Sequence, residues 1–290
     1  MEDRVRYLIG LIGSGIGASL SPALHEREAS LLGLRYLYQL IDLDDLHLPA
    51  SAAADLMRNA VLLGYRGLNI THPCKQLVLD HLDTLSADAR AIGAVNTVVI
   101  RDGQAHGHNT DWSGFAEAFA RGLPEATIDT VVLIGAGGAG AAVAYALRSL
   151  GTKQLTIVDP DPARAHGLVA KASEWEGMVC AVGGPEALAA VDGVVNASPV
   201  GMLGHPGLPI DPDLLRPSMW VADIVYRPLE TQLLGIARGR GCRTLHGGGM
   251  AVCQAAAALR LFTGQRPDID RMMAHLADLT GTELPSPPQR

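Results

Sequence analysis

The stretch 131–159, VVLIGAGGAGAAVAYALRSLGTKQLTIVD, constrains this chain more than any other. Residues 131–134 are a short apolar, β-branched run, and Gly135-Ala136-Gly137-Gly138-Ala139-Gly140 is a turn of small residues. Good helix formers follow as far as Leu150 before Gly151, and a second apolar run, 154–158, ends on Asp159, nineteen residues past the last glycine of a G-x-G-x-x-G pattern. This order of strand, tight turn, helix, strand and acid matches a dinucleotide-binding unit. In such a unit glycines let backbone approach a pyrophosphate, and the helix N-terminus supplies amide donors and a positive dipole. A glycine-rich turn alone closes many strands without binding anything, but here its flanks all agree. A membrane reading of the uncharged run 130–147 fails, since its glycines cluster mid-run, where each costs a helix about 1 kcal/mol relative to Ala. The run is also at the short limit for a span.

The 290 residues suffice for one large or two ordinary domains, and 48% hydrophobic content supports a substantial core. Aromatics are only 4%, so that core must rest on Ala, Val, Leu and Ile. A net charge of −7 without a Lys/Arg cluster gives no footprint for nucleic acid or for an anionic membrane surface. The start, MEDRVRYLIGLIGSG, is too short and too glycine-broken in its apolar part for a signal peptide, so a cytoplasmic protein is expected. Cys74, Cys180, Cys242 and Cys253 show no C-x-x-C, the histidines form no metal-like cluster, and free thiols with no metal site are expected.

Ahead of the glycine-rich unit, residues 7–12 read as a strand, and Ser21-Pro22 as a helix cap followed by proline at the first helical position. The loop between them brings two serines, Ser19 and Ser21, to a helix N-terminus, a good seat for a carboxylate. Residues 36–41 predict a second strand, 50–63 a helix and 67–71 a third strand, which opens into Asn69-Ile70-Thr71-His72-Pro73-Cys74-Lys75. Polar side chains gathered at a strand's C-terminal end mark where open α/β sheets place ligands. Lys75 is expected to begin a helix, where the dipole disfavours a cation by about 0.3–1 kcal/mol. Residues 94–100 and 106–110 predict a hairpin about Asp102-Gly103, with Asn96 interrupting the first strand and Asp111 capping a helix at 112–120.

After Asp159 the alternation continues. Helices are expected at 162–174, 185–190 and 231–239, and strands at 178–182, 193–197, 220–223 and 243–245, which argues a parallel, doubly wound sheet. From Gly248 the pattern is all-helical, at 250–262 and 267–280.

With these pieces assembled, the chain resembles the shikimate dehydrogenase family, and especially its quinate/shikimate dehydrogenase-like branch. The likeness rests on SLSPALH at 19–25, NITHPCK at 69–75, GAVNT at 93–97, NTD at 109–111, GAGGAG at 135–140, NASPVGM at 196–202, VYRP at 225–228 and GMAVCQAA at 249–256. The resemblance implies an α/β substrate domain (1–111, completed by the helices of 247–290) and a doubly wound Rossmann domain (112–246) that binds a nicotinamide cofactor. It implies that Ser19 and Ser21 bind the substrate carboxylate, that Asn69, Thr71, Asn96 and Gln254 hold ring hydroxyls, and that Tyr226 also reaches the substrate. Lys75 and Asp111 would flank the reacting hydroxyl. Gly135, Gly137, Gly138, Ala139, Asp159, Arg164, Met202, Val225, Gly247 and Met250 would line the cofactor site.

A carboxylate at the end of the second strand favours ribose hydroxyls and repels a 2′-phosphate. NADP-using relatives often show Asn-Arg-Thr there, whereas this chain has Asp159-Pro160-Asp161 and no arginine before Arg164. NAD is therefore expected over NADP. The chain departs from the family at Glu26, where many relatives have Asn, and at His246-Gly247, where Asp-Gly is common. Ser21, where several quinate-accepting relatives carry threonine, favours shikimate and leaves quinate and an amino-substituted analogue open. A non-catalytic NAD-binding sensor is the rival from another class. The expected partners are a small cyclic acid and, at most, a second copy of the chain, as monomer or homodimer.

Overall fold

The protein is described by a computed structural model covering residues 5–282. It divides into two compact units, one built from 5–110 with 254–282 and the other from Asp111–Cys253.

The first unit begins with β1 (Arg6–Gly13), α1 (Ser21–Leu31), β2 (Arg35–Asp42), α2 (Ala53–Leu62) and β3 (Gly67–Ile70). It continues with β4 (Thr84–Leu85), α3 (Ala87–Ile92), β5 (Thr97–Arg101) and β6 (Gln104–His108). The sheet order is β2-β1-β3-β5-β6-β4. β1 runs parallel to β2 and β3, while β5 is antiparallel to both β3 and β6. Because β1 sends its chain to one side and receives β3 on the other, the C-terminal ends of β1 and β3 border a switch point, the position at which such sheets bind ligands. One face of the sheet packs Ile12, Met57, Leu68, Ile70, Val78 and Val98, and the other packs Ile9, Leu11, Tyr38, Val99 and Phe262.

The second unit runs α4 (Asp111–Gly122), β7 (Thr130–Ile134), α5 (Gly138–Leu150), β8 (Gln154–Val158), α6 (Pro162–Ala172), β9 (Val179–Val182) and β10 (Gly193–Asn196). β11 (Trp220–Asp223), α7 (Gln232–Gly239), β12 (Arg243–His246) and α8 (Gly248–Thr263) follow. Its sheet, β12-β11-β10-β7-β8-β9, is parallel throughout, as the alternating sequence pattern requires. The order reverses between β7 and β10. α8 carries the chain back to the first unit, where α9 (Ile269–Thr280) docks on α1. The fully buried Glu28 carboxylate of α1 accepts from Arg271 Nε (2.8 Å), Arg271 Nη2 (2.6 Å) and Asp268 N (2.8 Å).

The structure corrects four local expectations. Ser21 is the first residue of α1 and not its cap; Leu20 occupies the cap position and no side chain caps the helix. Asp111 likewise opens α4 as its first residue. Asn96 precedes β5 and does not interrupt it, and the hairpin returns over Gln104–His108. The segment after Lys75 is a series of turns ending in a 3-10 turn at Leu79–His81, so no helix dipole bears on Lys75.

One buried polar atom has no partner among the described residues: the hydroxyl of Thr152, between α5 and β8. A buried hydroxyl without a hydrogen bond costs stability, and valine has the same shape without it. Thr152→Val is therefore expected to raise the urea midpoint, by the equivalent of about 1 kcal/mol. A fall in midpoint would mean that the hydroxyl is satisfied in solution.

Candidate active site

In the first unit, the loop leaving β1 is fixed by the Asp42 carboxylate at the end of β2. Asp42 accepts from Gly15 N (3.0 Å), Ile16 N (2.7 Å), Gly17 N (3.1 Å) and Asp44 N (3.1 Å). With its amides committed to one carboxylate, the loop delivers Ser19 and Ser21 as a pair, the Ser21 amide donating to Ser19 Oγ at 3.2 Å. Ser14 N donates to His72 O and Thr71 N to Ile12 O, which stitches this loop to the one leaving β3. Gly13 is required there, since a Cβ would lie 2.3 Å from the Thr71 methyl and 2.9 Å from His72 O.

Asn69 and Asn96 are both buried and hydrogen-bonded. Asn69 Oδ1 accepts from the Tyr38 hydroxyl (2.8 Å), and its Nδ2 donates to Asn96 O and Thr97 Oγ1, each at 3.1 Å. Asn96 Oδ1 accepts from Thr110 N (2.7 Å) and Thr97 Oγ1 (3.0 Å), while its Nδ2 donates to Thr110 Oγ1 (2.9 Å). Thr110 is thereby pinned one residue before Asp111, whose side chain is itself buried. Lys75 is half-buried, and its carbonyl accepts from Val95 N at 2.9 Å. Ser19 and Ser21 thus follow the loop leaving β1, Thr71 and Lys75 lie on the loop leaving β3, and Asn69 and Asn96 are joined between β3 and the start of β5. Gln254, half-buried, lies on α8.

In the second unit, Gly135 takes φ +99, and a Cβ there would sit 2.8 Å from the backbone of Ala197. The following amide, Ala136 N, donates to Asp159 Oδ2 at 2.8 Å, and Asp161 N donates to Asp159 Oδ1 at 2.9 Å. Arg164 Nε is 3.1 Å from Asp161 Oδ2 and 3.7 Å from Asp159 Oδ1. Asp161 caps α6 through Ala163 N, and that bond, with those from Arg164, holds its carboxyl below the usual range. Gly137 precedes α5 in extended backbone, and a Cβ built on it meets nothing within 4 Å. Its missing side chain therefore answers no need of the protein's own packing, and a small-residue cradle opening outward at a helix N-terminus fits a dinucleotide pyrophosphate. Gly138 and Ala139 form the first turn of α5.

Two loops beside β7 are tied by groups that the sequence did not single out. The buried Asp223 accepts from Asn196 Nδ2 (3.0 Å), Val225 N (3.0 Å) and Thr231 Oγ1 (2.8 Å). Burial pushes the Asp223 carboxyl up against the pull of these donors. This clasp sets the direction of the chain through Val225 and Tyr226. Gly247 packs beneath it, where a Cβ would be 2.2 Å from Ile224 O. Met250 is buried and Met202 is exposed on the loop after β10. At the family's Asp-Gly position, His246 Nδ1 accepts from Gly248 N at 3.1 Å and so begins α8, and burial lowers the imidazole's pKa. Asp42, Asp223 and Tyr38 are the residues that sequence reasoning missed. The first two share one signal, an acid at the last position of a strand that runs parallel to its neighbours.

The chain is similar over nearly its whole length to proteins of one family. Residues 11–98 match the family model for the shikimate dehydrogenase substrate binding domain, and 247–277 match that for the shikimate 5′-dehydrogenase C-terminal domain. A shikimate dehydrogenase (NADP(+)) of Streptomyces avermitilis is 58% identical over 95% of this chain and 97% of its own. A quinate/shikimate dehydrogenase (NAD(+)) of Corynebacterium efficiens is 50% identical over 94% and 98% respectively. Among solved structures, quinate dehydrogenase from Corynebacterium glutamicum in complex with NAD superposes with a TM-score of 0.87 at 47% identity, over 94% of this chain and 99% of that one. With relatives this similar over nearly its whole length, the chain is an NAD(P)-linked oxidoreductase acting on a CH–OH group. The chain belongs to the shikimate dehydrogenase family.

Proposed function

We propose that the protein catalyses the reversible oxidation of shikimate to 3-dehydroshikimate, with quinate as a slower second substrate and NAD preferred to NADP. The observation that carries this reading is the array in the first unit. A paired serine seat suited to a carboxylate, two buried asparagines and a half-buried lysine share one switch point, a donor and acceptor set suited to a cyclic polyol acid.

Ser19 and Ser21 would hold the carboxylate, with Asn69, Thr71, Asn96, Tyr226 and Gln254 on the ring. Lys75 would take up the proton of the reacting hydroxyl, or steady its developing negative charge, and Asp111 would orient the ammonium. A bound nicotinamide nucleotide supplies the hydride acceptor. Gly135, Gly137, Gly138 and Ala139 would seat its pyrophosphate, and Arg164, Met202, Val225, Gly247 and Met250 would complete its surroundings.

Relatives are named for both cofactors, so the preference rests on Asp159. Its carboxylate is anchored by Ala136 N and Asp161 N, and the one guanidinium of Arg164 is shared between Asp161 and Asp159, so that the two carboxylates keep a net negative charge, which would repel a 2′-phosphate at this strand end.

Nicotinamide absorbance with shikimate, quinate and aminoshikimate, each with NAD and NADP, tests all parts at once. Shikimate with NAD should give the highest kcat/KM. Equal or better efficiency with NADP overturns the cofactor preference, and faster aminoshikimate turnover reassigns the substrate. NAD binding without turnover of any acid would make the protein a sensor.

A further inference from the structure

The Asn69 amide has its orientation dictated by its neighbours. Asn96 O is a carbonyl and can only accept, so the atom 3.1 Å from it must be the amide nitrogen. That nitrogen spends its second hydrogen on Thr97 Oγ1. The amide oxygen then faces the Tyr38 hydroxyl at 2.8 Å, and the tyrosine must donate. Both amide hydrogens are used, and one lone pair of Oδ1 remains.

Tyr38 is built to hold this position. It lies on β2, two strands from Asn69 in the order β2-β1-β3, and its ring packs on His25 with centroids 4.8 Å apart. His25 is fully buried, its Nδ1 is 2.9 Å from the Tyr36 hydroxyl, and burial pushes the imidazole down to about 3, so the ring against Tyr38 is neutral. Glu26, the departure noted in the sequence, accepts from the Tyr38 amide at 2.8 Å and fixes the same residue through its backbone.

We propose that Tyr38 is a positioning residue for substrate recognition, acting through Asn69, and that Asn69 so fixed is an acceptor-only contact that reads a spectator hydroxyl of the substrate. The proposal rests on the reading of Asn69 as a substrate contact. Its chemistry follows from the remaining lone pair: the group facing Oδ1 must be a donor, a hydroxyl or an ammonium, and never a carbonyl or an ether. The reacting hydroxyl becomes a carbonyl on oxidation, and an acceptor aimed at it would repel the product. Asn69 therefore reads a hydroxyl that keeps its hydrogen through the reaction, and the acid must carry at least one such group besides the one oxidised.

Tyr38→Phe keeps the ring against His25 and removes only the hydroxyl. KM for the acid substrate should rise about tenfold, the scale of one well-placed hydrogen bond. The kcat and the cofactor KM should stay near the parent values, and the melting temperature should fall only by the few degrees that one lost buried hydrogen bond costs. The pair Tyr38→Phe/Asn69→Ala should be no worse than Asn69→Ala alone, which a merely structural tyrosine would not produce. If Asn69→Ala raises KM and Tyr38→Phe does not, the positioning role is overturned while Asn69 remains a substrate contact. If Asn69→Ala leaves KM unchanged, the underlying reading fails and this one with it. Should Tyr38→Phe not fold, the unaltered enzyme decides with shikimate mono-O-methylated at each non-reacting hydroxyl. One ether should lose binding and recover it in Asn69→Ala, and uniform tolerance of both ethers overturns the acceptor-only assignment.

Discussion

Lys75→Ala is expected to lower kcat by about 10²–10⁴-fold, the usual worth of a positioned acid or base, with the fold intact. Alanine keeps the backbone bond from Val95 N to Lys75 O, and turns tolerate it as readily as lysine, so the loop should hold its course. What is lost is the charged side chain of a half-buried lysine on the loop leaving β3. Thermal melting and cofactor titration should match the parent protein, and the deficit should appear in single-turnover hydride transfer. Lys75→Arg separates the two roles open to the lysine. A guanidinium keeps the charge and does not give up its proton, so recovery of most of the rate would make Lys75 an electrostatic anchor, and no recovery would make it the base. Unchanged turnover in Lys75→Ala would remove the residue from the mechanism.

Lys75 also marks where sequence reading ends. Its loop has helix-like spacing in Val78, Leu79 and Leu82, and the chain there is a run of turns. Cys74 N donates to Thr71 O and Leu77 N to Cys74 O, while Lys75 O, the first carbonyl a helix would need, is taken by Val95 N from the loop before β5. A tertiary partner outbid the local preference, and no window of sequence contains both residues. β4 and α3 went unseen for a different reason: two and six residues are too short for periodicity to register. The parallel sheet of the second unit was legible because buried strands between helices leave near-continuous apolar runs. The substrate side was legible as chemistry, through polar residues at odd places, but not as a mechanism of support. Asp42 gathering the β1 loop and Tyr38 reaching Asn69 across 31 positions are contacts made by folding, invisible until strand order is known.

Two glycines of the turn after β7 should separate folding from cofactor binding. At Gly140 a Cβ would stand 2.0 Å from Gly135 O and 2.9 Å from Gly135 C, both backbone. No rotamer relieves that clash, so Gly140→Ala must push α5 from β7 and should cost about 2–4 kcal/mol of stability without any cofactor present. At Gly137 the added methyl meets nothing within 4 Å, and the backbone there, φ −77 and ψ −171, suits any residue. Gly137→Ala should melt like the parent protein. Yet its methyl would occupy the surface on which a pyrophosphate must lie, and affinity for the nucleotide should fall about tenfold to a hundredfold, the equivalent of roughly 1.4–2.8 kcal/mol. Differential scanning calorimetry of the free proteins and fluorescence titration with NAD and NADP measure the two effects separately. A Gly137→Ala protein that binds nucleotide normally would show that the pyrophosphate rests elsewhere, and that the glycine pattern serves only to pack a helix closely on a strand.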